Sequence, residues 1–468
     1  MLFILIAGAA FAQMAPGLFM NAWGRAAFVP LWVETPELQY GEPKSNSEAI
    51  FYNGTGITWV PNKQPRVDFR LHGFNDFLGF TIHINAEMGD SVGNGDNGAQ
   101  IWVKPFGNDI LKLTAANQFI DDTLRGKVSA DSGFENFILG KSMMKFSNGR
   151  EPLNQDVIFN RYGGGRGSTA AADLSNTSTW ISTDSIQRNV FFLSSSPVKG
   201  MFVGLMLQGV FPSTELKETW RQMQLGVGYE IPGIGHARAQ YIGGFMGKEK
   251  DVTDMFRLNE PSKFEAAFAY TGTRNLVIDV GLKYWTPVTK FNDTKSFRGI
   301  DIGAGAYFRN GPFNFTGMVE VLNLGAYTGY NAHTPTNDFG VDPIHLTFNL
   351  IPAIDFDFGS FGLSMIFQTK TADTLLDASS QPLNEKDKTS PWTRFGLGVW
   401  YRKGLLGGYI KTGVTWASPY IATSNVLVWN PTGGAGGTGA WEKTADLKTG
   451  LNGRSIITIP VIFEYAFF

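Results

Sequence analysis

A strict two-residue alternation of apolar and polar side chains, interrupted by tight turns, limits what this chain can fold into. In Val67-Asp68-Phe69-Arg70-Leu71-His72, three apolar residues face one way and Asp68, Arg70 and His72 the other. After Phe74-Asn75-Asp76-Phe77 the pattern resumes, with Leu78, Phe80, Ile82 and Ile84 set against Gly79, Thr81, His83 and Asn85. This is the period of a pleated strand with unlike surroundings on its two faces. The spacings of three and four that mark a helix are missing. The unit recurs at 99–104 with 110–118, 190–195 with 200–210, 222–231 with 236–245, and 263–270 with 276–285. It continues at 299–308 with 312–324, 345–356 with 361–370, and 392–401 with 407–416. Gly, Pro, Asn and Asp fill the short connections, where hairpin turns need them. Residues 21–32 and 455–468 remain as single alternating segments at the two ends, placed to pair and close the sheet. The reading is an all-β fold, an antiparallel up-and-down β-barrel of about 18 strands, with 16 as the alternative.

Composition names the solvent around that barrel. Charged residues are 17% of the chain and aromatics 14%, with 38 Phe and 56 Gly. An ordinary soluble protein carries roughly 25% charge. No stretch supplies the roughly 20 apolar residues of a spanning helix. A membrane protein of this kind must therefore be a closed barrel, which leaves no backbone edge unpaired in hydrocarbon. Strands of about ten residues match a tilted crossing of the bilayer. All eight tight turns and both chain ends fall on one rim, and the longer connections on the other, an asymmetry of transmembrane barrels.

Alternation also says which side chains meet water. Arg25, Asp68, Arg70, Lys112, Arg238, Glu265, Asp279, Lys283, Asp301, Glu320, Lys370, Arg394, Lys411 and Glu464 all fall on the polar face. A charge facing hydrocarbon at mid-depth costs about 2–4 kcal/mol. These residues are therefore read as pore-lining, solvated by a channel that so wide a barrel can hold. Trp32, Tyr229, Tyr241, Tyr270, Tyr401 and Trp416 lie near strand ends on the apolar face, as interfacial girdles require. Trp102, Tyr307, Trp400 and Tyr409 fall on the polar face, where rings offer stacking surface to sugars.

Residues 1–12, MLFILIAGAAFA, form a short apolar run ending in Ala10-Phe11-Ala12, a small-x-small cleavage site ahead of Gln13. They are read as a signal peptide, although no Lys or Arg precedes the run. Residues 13–468 are then one barrel domain. The chain has no Cys, so disulfides and thiol chemistry play no part. A net charge of −2 gives no footprint for nucleic acid. The five His are scattered without metal-ligand spacing, no Gly-x-Ser-x-Gly elbow occurs, and Gly163-Gly164-Gly165-Arg166-Gly167 lacks the ending of a phosphate loop. Neither a cofactor nor a metal is expected, and an enzyme is disfavoured.

The even strand meander, the Ala10-Phe11-Ala12 signal and the aromatic end Phe463-Glu464-Tyr465-Ala466-Phe467-Phe468 resemble the outer-membrane porins of diderm bacteria. The likeness covers essentially everything after Ala12. It implies short periplasmic turns, long extracellular loops, an outer-membrane location and passive or weakly selective diffusion of small hydrophilic solutes, with sugars as a sub-reading. In that family the barrel-assembly machinery reads a terminal aromatic strand, here Phe468, Phe467 and Tyr465. Phe467, rather than the final residue, is in register with the outward aromatics. The family implies lipid contact and, often, a homotrimer. Porins also fold a third loop into the lumen, which here is 119–189. Its candidate constriction residues are Arg125, Lys127, Arg161 and Arg166 on a basic edge and Asp121, Asp122 and Glu135 on an acidic one; opposed charges filter solutes. Two other readings compete: a transporter of hydrophobic compounds with a lateral opening, and a surface adhesin built on long loops at 33–66, 119–189 and 417–454. Against the first, only Gln13 to Met20 precede the first strand, too few for a plug.

Overall fold

A computed structural model describes residues 17–36, 38–39, 41–43, 50–59, 66–87, 98–118, 188–208, 223–243, 262–273, 275–289, 294–297, 299–331, 340–341, 344–370, 392–406, 408–422, 427–430, 440–443 and 450–467. Among these, the strands that cross the wall are β1 (Phe19–Glu34), β2 (Arg66–Phe74), β3 (Leu78–Glu87), β4 (Gly98–Val103), β5 (Lys112–Gln118) and β6 (Arg188–Ser195). They continue as β7 (Met201–Gln208), β8 (Gln224–Ile231), β9 (Gly235–Ile242), β10 (Lys263–Thr273), β11 (Leu276–Trp285) and β12 (Ile300–Asn310). The last six are β13 (Phe313–Leu324), β14 (His345–Phe356), β15 (Gly359–Lys370), β16 (Trp392–Leu405), β17 (Gly408–Ala417) and β18 (Ile456–Phe467). Each pairs antiparallel with its neighbours in this order, and β18 pairs with β1, closing a ring of eighteen.

The closing seam runs from Ala22↔Phe467 to Glu34↔Ile456, with its register shifting between Phe28 and Leu31. Pro30, which has no N–H to give a ladder, sits in that shift. Past the last ladder pair, Thr35 N donates to Ser455 O at 3.0 Å and Ser455 N to Thr35 Oγ1 at 2.9 Å. The guanidinium of Arg454 lies 3.7 Å from the fully buried carboxylate of Glu34.

Two parts of the wall depart from the sequence reading. Residues 33–66 were expected to be loop, yet Ile50–Trp59 is a strand that pairs with Phe28–Glu34, while β2 pairs with Phe19–Arg25. Asn53-Gly54-Thr55-Gly56 breaks the alternation there, and the pairing with β1 supplies the order instead. The expected turn at 402–406 is also shorter: β16 continues to Leu405 and β17 starts at Gly408. Other turns fall close to where expected, with Gly233 and Gly311 at φ 74° and 58°, values an L side chain adopts with strain. Some long connections carry short sheets of their own, such as the hairpin Leu427–Asn430 with Ala440–Lys443 and the four-stranded sheet that includes Thr294–Phe297 and Tyr327–Asn331.

The two faces are the reverse of a soluble sheet. On β16, Phe395, Leu397 and Val399 are 40%, 49% and 59% exposed, while Arg394 and Trp400 are 0% and 1%. Ile82, Ile101, Leu193, Val227, Val280, Phe348 and Ile457 repeat this exposure around the ring. Thr81, Gln100, Ser194, Gln240, Asn349 and Thr458 are buried on the opposite face. An apolar belt running round the whole outside is stable only in hydrocarbon. The molecule is a transmembrane β-barrel.

Candidate functional site: the inner face

The inner face was expected to be polar and solvated. Its polarity is mixed, and much of it is packed. Ile351, Ala353, Ile456 and Ile462 are buried there beside Trp400 and Tyr409. Ser364, Thr415 and Thr458 have no exposure, and the hydroxyls of Thr415 and Thr458 bond each other across β17 and β18. The physical reason is that long cations on this face lie along the wall on aromatic rings rather than reaching into the barrel.

Lys411 shows how. Gly362 on β15 is directly opposite Trp400 on β16, and Trp400 is opposite Gly413 on β17. A Cβ at Gly362 would collide with the indole of Trp400, so the ring lies flat over the missing side chain. Lys411, two residues before Gly413, then places its ammonium 4.5 Å from the ring centroid. Arg402, the cross-strand partner of Lys411, does the same with Tyr409, its guanidinium carbon 4.6 Å from that ring. Like charges opposite each other on one face repel; cation–π contacts draw these two apart onto separate rings.

The arrangement occurs twice. Gly79 on β3 is opposite Trp102 on β4, and Trp102 is opposite Thr114 on β5. The indole again covers the glycine, and Lys112, two residues before Thr114, lies 5.1 Å from its centroid. Lys104 sits at the same distance and pairs with Asp109 at 2.7 Å. Both Trp–Lys units stand near the tight-turn rim.

Arg394 has another partner set. Its Nε donates to Ser418 O at 2.9 Å, its Nη1 donates to the Tyr420 hydroxyl at 3.1 Å, and the Tyr420 ring lies 4.5 Å from the guanidinium carbon. It staples the segment beyond β17 back to the wall. Burial pushes the Tyr420 phenol above its ordinary pKa, with Arg394 opposing. Lys283 is buried against Trp285 at 5.3 Å, and Asp301, its cross-strand partner, accepts from Asn323 N at 2.9 Å.

Of the expected pore-lining residues, Lys112, Lys283, Asp301, Arg394 and Lys411 thus have described surroundings. Arg25, Asp68, Arg70, Arg238, Glu265, Asp279, Glu320, Lys370 and Glu464 are placed by backbone register alone. Register sets Glu464 opposite Arg25 on one side and Tyr409 on the other. It sets Lys283 between Glu265 and Asp301. Residues 1–12, Phe468, and Asp121, Asp122, Arg125, Lys127, Glu135, Arg161 and Arg166 lie outside the described residues. Phe467 ends β18, and Tyr465 stacks parallel to Phe463 at 6.4 Å. Arg402 was missed because Arg-Lys-Gly reads as a turn. The signal was present, since Trp400, Arg402 and Gly404 continue the alternation with Val399, Tyr401 and Lys403.

No family model and no curated protein matches the chain. A search of solved structures returns barrels that span nearly all of it. The anion-selective porin of Comamonas acidovorans is 11% identical with a TM-score of 0.44, over 96% of this chain and 100% of that one. OpdL of Pseudomonas aeruginosa is 9% identical with a TM-score of 0.42, over 96% and 98%. OmpT of Vibrio cholerae, an outer membrane protein, is 8% identical with a TM-score of 0.37, over 97% and 100%. Likeness at this level says nothing of what passes through the barrel, and the fold rests on the strand pairings and the two faces.

Proposed function

We propose that the protein is an outer-membrane pore for passive diffusion of small hydrophilic solutes, exported by the signal at 1–12 and inserted through its aromatic last strand. One observation carries this reading: a ring of pairings closes around a face that bears Lys112, Lys283, Asp301, Arg402 and Lys411, while the opposite face is an apolar belt. Charges inside and hydrocarbon outside are what an aqueous path through a bilayer requires. The seam speaks against a lateral gate for hydrophobic compounds, because β1 and β18 are paired on both sides of the register shift between Phe28 and Leu31. A sugar preference has weaker support: the rings of Trp102, Trp400 and Tyr409 already hold cations. The connection at 119–189 remains the proposed constriction. The test is single-channel recording of refolded, heat-modifiable protein in a planar bilayer. Stable ohmic steps are expected. Silence from correctly folded protein would move the assignment to the hydrophobic transporter or the adhesin.

A further inference from the structure

Between β8 and β11 the apolar belt on the outside of the barrel is hollowed. The strand pairings set Val203, Val227, Ala239, Ala266 and Leu282 in one row across β7–β11. Two exposed alanines therefore lie side by side between taller side chains. They floor an open cavity of about 470 Å³. The next row toward the long-loop rim holds Tyr241, Phe264 and Tyr284, with successive ring centroids 5.0 Å and 6.4 Å apart, and Phe297 continues it at 5.6 Å from Tyr284. At these rings the wall turns polar. The Tyr241 hydroxyl donates to Ser262 Oγ at 3.1 Å, and Thr286 Oγ1 donates to Ser262 O at 3.0 Å. Rings with one wet edge mark the boundary between hydrocarbon and headgroups. The hollow thus lies directly beneath the headgroups of the leaflet on the long-loop side.

Its size says what fits. β8 and β11 are three strand spacings apart, about 14 Å, and the side chains of both walls narrow that gap. Over three residues of each strand the hollow covers on the order of 150 Å², against about 800 Å² per partner in a stable protein interface. The broad wall of a second copy does not enter it. Inside hydrocarbon, burying apolar area gains nothing by itself, and close packing is what holds a group in place. A single acyl chain is narrow enough to be packed on three sides. Among the described side chains facing outward on β8–β11, none is ionised, so no fixed charge there selects a headgroup.

We propose that this hollow holds one acyl chain of a lipid from the leaflet on the long-loop side, passing the row of rings and ending over Ala239 and Ala266. The tail is what the wall recognises: the alanines leave room for it, Val227 and Leu282 flank it, and Tyr241, Phe264 and Tyr284 fix where it enters. The site needs only that the outer face meets hydrocarbon. It would be present in a silent barrel as much as in a conducting one.

The test is photo-crosslinking of the full chain, refolded into phosphatidylcholine vesicles that contain a small fraction of phosphatidylethanolamine with a diazirine in one acyl chain. Labelled residues are mapped by mass spectrometry of peptides. Labelling per residue is expected to be several-fold higher on the outward residues of β9 and β10 than at Phe395, Leu397 and Val399 of β16. Ala239→Leu combined with Ala266→Leu fills the hollow with side chains that a lipid-facing wall tolerates. It should bring β9 and β10 down to the level of β16 and leave β16 unchanged. Even labelling around the wild-type belt would overturn the site and leave the barrel in its membrane. Labelling of β9 and β10 below the level of β16 would show the hollow covered by another copy of the chain, and would overturn the proposal as well. Labelling unchanged in the filled variant would overturn the hollow as its cause. Absence of labelling on every outward face would remove the membrane reading itself. The wild-type map decides the main point even if the double variant fails to fold.

Discussion

The walls at β3–β5 and β15–β17 share one design and differ in setting. Both oppose a glycine to a tryptophan on the next strand, and both bring a lysine onto that ring from the strand after. Trp102 is half-buried, with a second cation, Lys104, that is paired to the largely exposed Asp109. Trp400 is 1% exposed and belongs to an apolar cluster with Ile351, Ile456 and Ile462. The same local geometry is thus a surface feature on one wall and part of the packing on the other. What differs is how much apolar surface has gathered around it.

That comparison can be broken most forcefully at the rings. Trp400→Ala should cost about 3–5 kcal/mol, the range for emptying a packed aromatic site, and Trp102→Ala clearly less, as read from urea unfolding midpoints in detergent or lipid. Equal losses would mean that the two walls are packed alike. Leu397→Arg, which puts a charge on the apolar belt outside the β15–β17 wall, should cost about 2–4 kcal/mol. A substitution there without effect on folding into vesicles would show that this face does not meet lipid. Gly362→Val forces the buried indole to move and should cost about 1–3 kcal/mol. Gly79→Val should cost about as much, because its Cβ would also meet the Gly73 carbonyl oxygen, which a moving Trp102 ring does not relieve. Asp109→Asn is the mildest: an exposed ion pair is worth under about 1 kcal/mol and less in salt.

The strands of these walls were legible in sequence, and their cross-strand partners were not. Residues 345–356 and 361–370 alternate so regularly that the observed hairpin differs only at Gly359 and Ser360. Alternation is a property of one strand and its two environments, so one strand suffices to reveal it. The Gly362–Trp400 contact depends on register between two hairpins, which neither hairpin encodes alone. The same holds for Ile50–Trp59, whose own pattern is broken by Asn53-Gly54-Thr55-Gly56 and whose order comes from β1. Alternation placed Lys411 and Arg394 on the inner face, but their burial follows from aromatic neighbours two residues away on an adjacent strand or beyond the end of the next.

The central claim is the inversion of the two faces, and the absence of cysteine makes it directly measurable. Single cysteines placed in turn at positions 395 to 399 of β16 would be labelled with a fluorophore and challenged with a quencher carried on lipid acyl chains. Quenching is expected at Phe395→Cys, Leu397→Cys and Val399→Cys and protection at Gly396→Cys and Gly398→Cys. Uniform quenching, or quenching at the even positions, would contradict the barrel as described.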